Sequence, residues 1–462
     1  MDKLIIAEKP SVGRDIANFL GTPIKQNGFL QVDNTVVTWC FGHITQLADT
    51  DAYIKSTSMP EMSKKKTTKN LWRKEDLPIL PSPFKIVISE PKQFKVIKNL
   101  LKIAIKDKAQ IVNAGDPDRE GQLLVDRVLE QCSINPDEEY VKRILPSALD
   151  KASLAKILKD VRNNKDFANL RNAAKARAAA DWVVGMNATR ALSIANYSLI
   201  NVGRVMTPTI ALVVERDKKI ANFKSKDFYV PQIVMEDGLE LTWKKHAKPS
   251  QFIDEENRII DKIFAQSILD ECKNGTWIVT QCEEKQVKSA PPLPHNLASL
   301  QQFMSQTYKI SAQKTLDIAQ SLYQDHKLTS YPRTDCRYLP AEQLQEVSEK
   351  LNALKSNFKP YFTFIKETNK FSTAFNSKKV SAHHAIIPTQ VVADFSKLND
   401  LEQKVYNAIC LQYLAQFAEP CLQLKKQISL LFNQMDTFSS EQTIILEKGW
   451  QNILKPTKTE TI

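Results

Sequence analysis

The sequence predicts a multidomain protein of the α/β and α+β classes, and three observations predict it. Short β-type apolar runs alternate with helical periodicity over the first 150 residues. A helical, partly alanine-rich stretch follows at residues 153–219, and two segments of alternating polarity, residues 227–288 and 422–447, lie about 130 residues apart. At 462 residues the chain is long enough for about three or four domains.

The first 150 residues indicate a mainly parallel sheet. A β-type run at residues 3–7 leads into Pro10 and a helical apolar pattern that ends at Gly21. The same alternation continues through β-type runs and helices at residues 29–32, 35–39, 86–88, 91–105, 110–114 and 122–130. The basic, polar stretch at residues 55–74 is predicted to be a surface loop.

The rest of the chain predicts a helical unit and one interrupted β domain. The helical unit is expected to break at residues 201–204 and again at Thr207-Pro208. The two β segments suggest one domain with an insert, whose start is marked by the proline-rich residues 290–294.

Charge and composition narrow the functional classes. Sixty-four Lys and Arg against 52 Asp and Glu give a net charge of +12, which favours nucleic acid as a partner, although a basic surface without a polyanionic partner stays open. No apolar run is long enough for a membrane span or a signal peptide. Seven cysteines without a C-x-x-C pair argue against a disulfide framework or a zinc ribbon, so we expect a cytoplasmic protein without a membrane partner.

Three acids follow a predicted strand closely. Asp116, Asp118 and Glu120 lie between Gly115 and Gly121, and in extended backbone their period-2 spacing would turn them the same way. Clustered carboxylates suit Mg²⁺, and ligands gather at the carboxyl ends of strands in α/β sheets. The sequence predicts a metal site here, with a solvated acidic turn as the alternative.

Glu8 and Lys9 occupy the equivalent position after the first predicted strand. If the two strands are neighbours, Glu8 joins the acidic cluster and Lys9 brings a cation to a phosphate or a leaving oxygen. A helix-capping surface pair is the alternative.

Tyr331 and Arg333 form a third candidate, in the run Tyr331-Pro332-Arg333-Thr334-Asp335. Extended backbone before and after the proline would place both side chains on the same side. A nearby guanidinium is expected to lower the phenol pKa from about 10 and to hold phosphate oxygens, which suits attack on phosphorus. Structural packing of the tyrosine is the alternative.

Other polar groups could contact a phosphate backbone. They are Arg204 in the run of residues 201–208, Arg177 with Asp181 one helical turn later, and His383 in an apolar stretch. A loop, a helix salt bridge and a packed histidine are the respective alternatives.

These motifs occur together, and in this order, in type IA DNA topoisomerases. The sequence resembles that family over residues 1 to about 450, most closely its bacterial topoisomerase III branch. The resemblance implies a toroidal architecture made of a Toprim domain (1–150), the first half of a helical DNA-binding domain (151–225), a β-rich arch or hinge domain (226–290 and 395–450) and an inserted domain (291–394) that carries Tyr331.

The resemblance also implies roles for the candidate residues. Tyr331 is similar to the family nucleophile, which forms a 5′-phosphotyrosine and leaves a 3′-hydroxyl, so that resealing needs no ATP. Asp116, Asp118 and Glu120, with Glu8, would hold Mg²⁺. Lys9 would protonate the leaving oxygen, and Arg333 would steady the phosphoryl charge. The DNA contacts would come from Arg177, Asp181, Arg204 and His383.

The implied activity is that of an ATP-independent topoisomerase that acts on single-stranded or underwound DNA to relax negative supercoils or to decatenate. We expect a monomer associated with the nucleoid. The alternatives are a truncated single-strand-binding or cleavage-only fragment, and a Toprim primase or nuclease that has no use for Tyr331.

Three features depart from the family pattern. Met206 stands where the topoisomerase III branch usually has Gln, which removes one polar DNA contact. The stretch near Lys64 resembles an insertion. The sequence stops soon after Trp450, where family members continue, and the expectation is therefore cleavage of single strands with weak or absent strand passage.

Overall fold

A computed structural model describes residues 1–54, 72–247, 251–365, 372–380 and 383–454. Most of the predicted surface loop at residues 55–74, including Lys64, lies outside the described residues. The chain divides into two compact units. The first comprises residues 1–216, 294–357 and 376–410, and the second comprises residues 217–293, 358–375 and 411–462.

Strands and helices are numbered separately in chain order. The strands are β1 (Lys3–Ala7), β2 (Ile24–Gln26), β3 (Phe29–Val32), β4 (Thr35–Trp39), β5 (Thr45–Leu47), β6 (Ile86–Ile88), β7 (Gln110–Ala114), β8 (Val141–Arg143), β9 (Arg162–Asn163), β10 (Gln232–Val234), β11 (Glu240–His246), β12 (Trp277–Ser289), β13 (Cys421–Phe432) and β14 (Asp436–Glu447). The helices are α1 (Pro10–Leu20), α2 (Pro91–Lys106), α3 (Arg119–Gln131), α4 (Lys151–Ile157), α5 (Ala168–Asn196), α6 (Met206–Ala221), α7 (Lys262–Glu271), α8 (Leu297–Tyr308), α9 (Ala312–Gln324), α10 (Val347–Lys355), α11 (Asp400–Leu414) and α12 (Gln451–Leu454).

The first unit is built around a seven-stranded sheet in the order β2-β3-β4-β1-β7-β8-β9. Its central strands β4, β1, β7 and β8 are parallel, as the βα alternation predicts, and β2, β3 and β9 are antiparallel to their neighbours. A second, two-stranded sheet pairs β5 with β6.

Apolar clusters cover both faces of the seven-stranded sheet. Leu4 and Ile6 point into a cluster that includes buried side chains of α2 and α3. Ile5 and Ala7 point into the opposite cluster, which includes α1 and α4. This alternation along one strand is the period-2 pattern of a strand buried on both sides, and it holds the strand ends in fixed positions.

Helix α6 corrects one expectation from the sequence. Thr207-Pro208 was expected to interrupt the helical unit, yet the helix runs from Met206 to Ala221. Pro208 lies in its first turn, where the backbone N–H groups have no partner inside the helix and a proline is tolerated. Among the described helices, none is long and apolar enough to cross a membrane.

The second unit contains a five-stranded antiparallel sheet in the order β10-β11-β14-β13-β12. The two β segments that are far apart in sequence therefore lie in one sheet. Its core joins α7 to one end of the sheet through buried side chains that include Trp243, Ile268, Phe432 and Phe438. Residues 358–375 also belong to this unit, whereas the sequence assigned them to the inserted domain.

Candidate active site

Three parallel strands end at the same edge of the seven-stranded sheet. Ala7, the last residue of β1, pairs with Trp39 of β4 on one side and with Ala114 of β7 on the other. Glu8 and Lys9 therefore start next to the turn at Gly115 and Asp116. Strands β1 and β7 are neighbours, which is the condition under which Glu8 was predicted to join the acidic cluster.

Glu8, Lys9 and Asp116 form a compact charged group. The Glu8 carboxylate accepts a hydrogen bond from the Asp116 backbone N–H at 3.2 Å. The Lys9 ammonium lies 3.0 Å from Asp116 Oδ2 and 3.7 Å from Glu8 Oε1. Asp116 Oδ1 is buried and has no hydrogen-bond partner within the described residues. This orphaned oxygen is available to a cation or to a donor on a substrate.

The acidic turn depends on two glycines that touch each other. A Cβ on Gly115 would lie 2.3 Å from the Gly121 carbonyl oxygen, and a Cβ on Gly121 would lie 2.3 Å from that of Asp116. Any side chain at either position would displace the backbone that carries the acids.

The sequence predicted that the three acids lie on one side of an extended segment. They do not. Asp118 is the N-cap of α3 and accepts a 2.7 Å hydrogen bond from the Gly121 N–H, so Glu120 is already helical. Glu120 instead accepts from Arg177 at 3.1 Å. The expectation of extended backbone was wrong because an Asp at this spacing before a helix satisfies the first free N–H groups.

The described residues contain no preassembled group of three or more His, Cys, Asp or Glu side chains placed to hold a metal ion. The donor chemistry nevertheless fits a hard divalent cation, because Glu8, Asp116 and Asp118 supply carboxylate oxygens and Asp116 Oδ1 is unpartnered.

Tyr331 reaches the same edge from the loop after α9. Its hydroxyl donates to Asp118 Oδ2 at 3.2 Å, and its backbone N–H donates to the Ser147 carbonyl at 3.0 Å. Its ring packs edge-on against Tyr323, with centroids 5.6 Å apart, and lies 5.0 Å from the His383 ring. Tyr331 is only 3% exposed.

Burial and nearby charges set two unusual pKa values. Burial, followed by the charge of Asp116, raises the pKa of Glu8 to about 7. Burial, followed by Asp116, Asp118 and Glu8, raises the pKa of Tyr331 above its ordinary value, and Arg333 opposes this only weakly. Arg333 lowers the phenol pKa as expected, but the expected net lowering was wrong because desolvation and the carboxylates outweigh one guanidinium. The resting phenol is protonated.

His383 and Arg333 have different surroundings. Both ring nitrogens of His383 are buried without a partner in the described part of the chain, and burial lowers the pKa of this ring. Arg333 is exposed to solvent, whereas Tyr331, two residues earlier, is buried. The sequence placed both side chains on the same side of the segment, but they differ in exposure.

The remaining predicted DNA contacts form a chain of alternating charges. Arg177 lies between Glu120, at 3.1 Å, and Asp181, at 3.8 Å, and Asp181 accepts from Arg204 at 2.6 Å. These side chains are partly exposed, so a phosphate can compete with the carboxylates for both arginines.

Sequence reasoning missed Arg143, on β8. Its guanidinium is fully buried and donates to the carbonyls of Gly115 and Asp116, each at 2.7 Å. It therefore holds the acidic turn in place. The available signal in the sequence was a single arginine in a short β-type run.

The end of β4 was also missed. The Gly42 N–H donates to the Glu8 carbonyl at 3.0 Å, so this strand end supports Glu8. Phe41 is exposed and has a φ of 53°, an uncommon backbone conformation for a bulky residue. The sequence signal was Trp39 to Gly42, directly after a predicted strand.

Comparison with known proteins gives consistent matches. A family model described as DNA topoisomerase matches residues 165–462, and a Toprim domain model matches residues 3–148. The chain is 37% identical to DNA topoisomerase 3 of Vibrio cholerae, over 98% of this chain and 70% of that protein. It is 36% identical to DNA topoisomerase 3 of Salmonella typhimurium, over 98% and 69%.

A solved structure shares the fold. The full-length topoisomerase I from Thermotoga maritima superposes with a TM-score of 0.65 at 21% identity, over 99% of this chain and 68% of that one.

Proposed function

This chain belongs to the type IA DNA topoisomerase family, most similar to topoisomerase III, and from that premise we propose that Tyr331 is its nucleophile. The enzyme is a DNA topoisomerase, an isomerase. The observation that carries the proposal is the hydrogen bond from the Tyr331 hydroxyl to Asp118, at the edge of the sheet that also carries Glu8, Lys9 and Asp116.

The step forms a bond between the Tyr331 phenolic oxygen and phosphorus and breaks the bond from phosphorus to the 3′-oxygen. The phenol proton passes to Asp118 Oδ2, its hydrogen-bond acceptor, and the leaving 3′-oxygen takes a proton from Lys9 Nζ. Resealing reverses both transfers. Because the phosphodiester energy is kept in the phosphotyrosine, no ATP is required.

The other candidate residues bind and orient the strand. Arg333 is exposed and free to meet phosphate oxygens as the strand arrives. Arg177 and Arg204 exchange their carboxylate partners for phosphates, and Asp181, which pairs with both arginines in the resting protein, keeps them next to each other until the strand arrives. His383 offers a ring nitrogen beside the Tyr331 ring.

The Toprim fold is a metal-binding fold, and we propose Mg²⁺ as its ion. Glu8, Asp116 and Asp118 would hold it, and Glu120 would join them only by leaving Arg177. When bound, the ion supplies positive charge to the phosphate and the 3′-oxygen.

We further propose that the enzyme is monomeric and works in the cytoplasm at nucleoid DNA. Gel filtration with light scattering tests the monomer.

Denaturing gel analysis of a 5′- or 3′-labelled oligonucleotide tests the nucleophile. Tyr331→Phe should abolish the covalent 5′ adduct while single-strand affinity stays nearly unchanged, because only the attacking oxygen is removed. Tyr323→Phe is the matched control, since this neighbouring buried tyrosine donates only to the Pro146 carbonyl. It should keep the adduct.

Adduct in Tyr331→Phe would assign the attack to another residue. The alternative functions give different bands from the parent protein. A single-strand-binding protein leaves the strand unmodified, and a nuclease or primase gives free fragments or primers.

A further inference from the structure

Helix α2 carries five lysines on one face, which the proposed mechanism does not use. They are Lys92, Lys95, Lys98, Lys102 and Lys106, and together they are called the lysine stripe. At about 100° per residue they fall within an arc of about 120°, and at 1.5 Å per residue they extend over about 21 Å. All five are exposed.

The opposite face of α2 fixes the stripe rigidly to the sheet. Phe94, Ile97 and Leu101 are buried in the apolar core under the seven-stranded sheet. Gln93 donates to the carbonyls of Trp39, at 2.8 Å, and Gly28, at 3.0 Å. Since Trp39 ends β4 next to the end of β1, the stripe starts near the edge that carries Glu8 and Lys9 and runs away from it.

Within the described part of the chain, the lysines of the stripe are not paired with acidic side chains. Helix α2 contains no acidic residue. Asp107, just after it, pairs with the amino group of Met1 at 2.6 Å. No ion pair is present for the five lysines within the described residues. Like charges three and four positions apart destabilise a helix, and a bound polyanion relieves this repulsion.

The geometry of the stripe fits duplex DNA better than a single strand or a membrane. About six phosphates of one strand occupy 21 Å of a duplex, at 3.4 Å per phosphate. Single-strand sites depend on stacking with aromatic side chains, and the one aromatic residue of α2, Phe94, is buried. A helix that binds lipid needs a free apolar face, whereas most of the apolar side chains of α2 are occupied by the core and the exposed Ile103 and Ile105 do not form such a face.

We propose that the lysine stripe binds the phosphate backbone of duplex DNA that flanks the single strand being cleaved. The inference rests on the proposed function, because it assumes that a single strand lies at the edge with Tyr331. It adds a second contact surface, outside the cleavage site, that recognises a junction between single-stranded and duplex DNA.

Salt dependence of binding tests the proposal. The parent and a variant with all five stripe lysines changed to Gln are titrated with a single-stranded oligonucleotide and with the same strand carrying a 12-base-pair duplex on one side. A matched control changes five exposed lysines outside α2 to Gln: Lys25, Lys151, Lys159, Lys165 and Lys314. A third variant changes the five stripe lysines to Arg.

The expected result is specific to the duplex-flanked substrate. The magnitude of its slope of log affinity against log salt should fall by about 4.5 in the stripe variant, at roughly 0.9 for each of the five lost phosphate contacts. The slope should change by less than about 1 in the control and in the Arg variant. The proposal would be overturned if the salt slope on the duplex-flanked substrate fell equally in the stripe and control variants, or if the slope of the stripe variant equalled that of the parent.

Two further measurements separate competing explanations. Vesicles of phosphatidylserine and phosphatidylcholine that bind the parent but not the stripe variant, with no change on duplex-flanked DNA, would assign the stripe to a membrane and overturn the proposal. Formation of the covalent adduct by the parent on the short single strand is measured separately. If the proposed nucleophile is wrong, the adduct is missing in that assay, whereas the salt slope of binding is unaffected.

Discussion

The two large sheets of this protein differ in how their strands are covered. In the seven-stranded sheet, β1 and β7 have four buried residues each out of five, and apolar clusters lie on both faces. In the five-stranded sheet, β12 has no buried residue, and β14 is exposed over its second half. The core of that sheet is confined to one end.

The difference shows why the candidate chemistry lies on the first sheet. Parallel strands bring several carboxyl ends to one edge, and burial on both faces holds those ends in place, which the positioning of reacting groups requires. An antiparallel sheet that is solvated along most of its length has neither property. Substitutions in the first sheet should therefore affect the reaction, and those in the second should affect only stability.

The strongest test of this comparison removes the acids at the edge of the first sheet. Asp116→Ala together with Asp118→Ala should slow religation in low Mg²⁺ by at least about 100-fold, because resealing needs the 3′-hydroxyl held in line, and it should also slow cleavage, because Asp118 accepts the phenol proton. Rates of adduct formation and of its reversal, measured across a Mg²⁺ titration, check this.

The control for the double variant is Glu283→Ala with Glu284→Ala, two exposed acids on β12, which should leave both rates unchanged. Religation by the double Asp variant at the parent rate would mean that the acidic turn has no part in metal binding.

The next test concerns stability in the second sheet. Phe438 is fully buried there, and Phe438→Ala should lower the free energy of unfolding by about 3–5 kcal/mol. Val279→Ala, at a 58% exposed position on β12, should change it by no more than about 0.5 kcal/mol. Urea denaturation measures both. Similar losses in the two variants would contradict the view that the core lies at one end.

The smallest expected effect is a pH dependence in the first unit. Burial, then the charge of Arg337, lowers the pKa of His295 to about 4. Because the unfolded chain binds a proton near pH 6.5 and the folded chain does not, this stability is fully present above pH 6.5. It is lost progressively toward pH 4, by up to about 3 kcal/mol.

His295→Gln should flatten the stability curve between pH 6.5 and 4 relative to the parent. Denaturation midpoints at half-unit pH steps check it. A His326→Gln variant, at a partly exposed histidine, is the control. If both variants keep the parent's curve, the buried imidazole does not govern acid sensitivity.

The local patterns of the sequence were sufficient for β1, β3, β4 and β7 of the first sheet and for the long strands of the second, but they did not predict β2, β8 or β9. Runs such as residues 3–7 and 110–114 are short and apolar, and β12 and β13 lie within a residue or two of the predicted alternation. The acids, Lys9 and Tyr331 could be selected because strand ends and a tyrosine beside an arginine have chemical meaning without any coordinates.

What the sequence could not predict depends on contacts between distant residues. Arg143 can hold the acidic turn only when β8 pairs with β7. The pKa of Tyr331 rises only when its ring is buried and three carboxylates lie near its hydroxyl. The helical position of Glu120 follows from a local rule, the preference for Asp at an N-cap, which here overrides the period-2 spacing of the three acids.

The burial of Tyr331 has a consequence for inhibitor discovery. A tyrosine-directed electrophile added to the resting enzyme would label Tyr197, which is 98% exposed, long before Tyr331, which is 3% exposed. Compounds chosen for reacting with the free enzyme would therefore not detect Tyr331, the proposed nucleophile. Screens should be run on the covalent DNA adduct, where the tyrosine has left its resting place and a small molecule can stall its return.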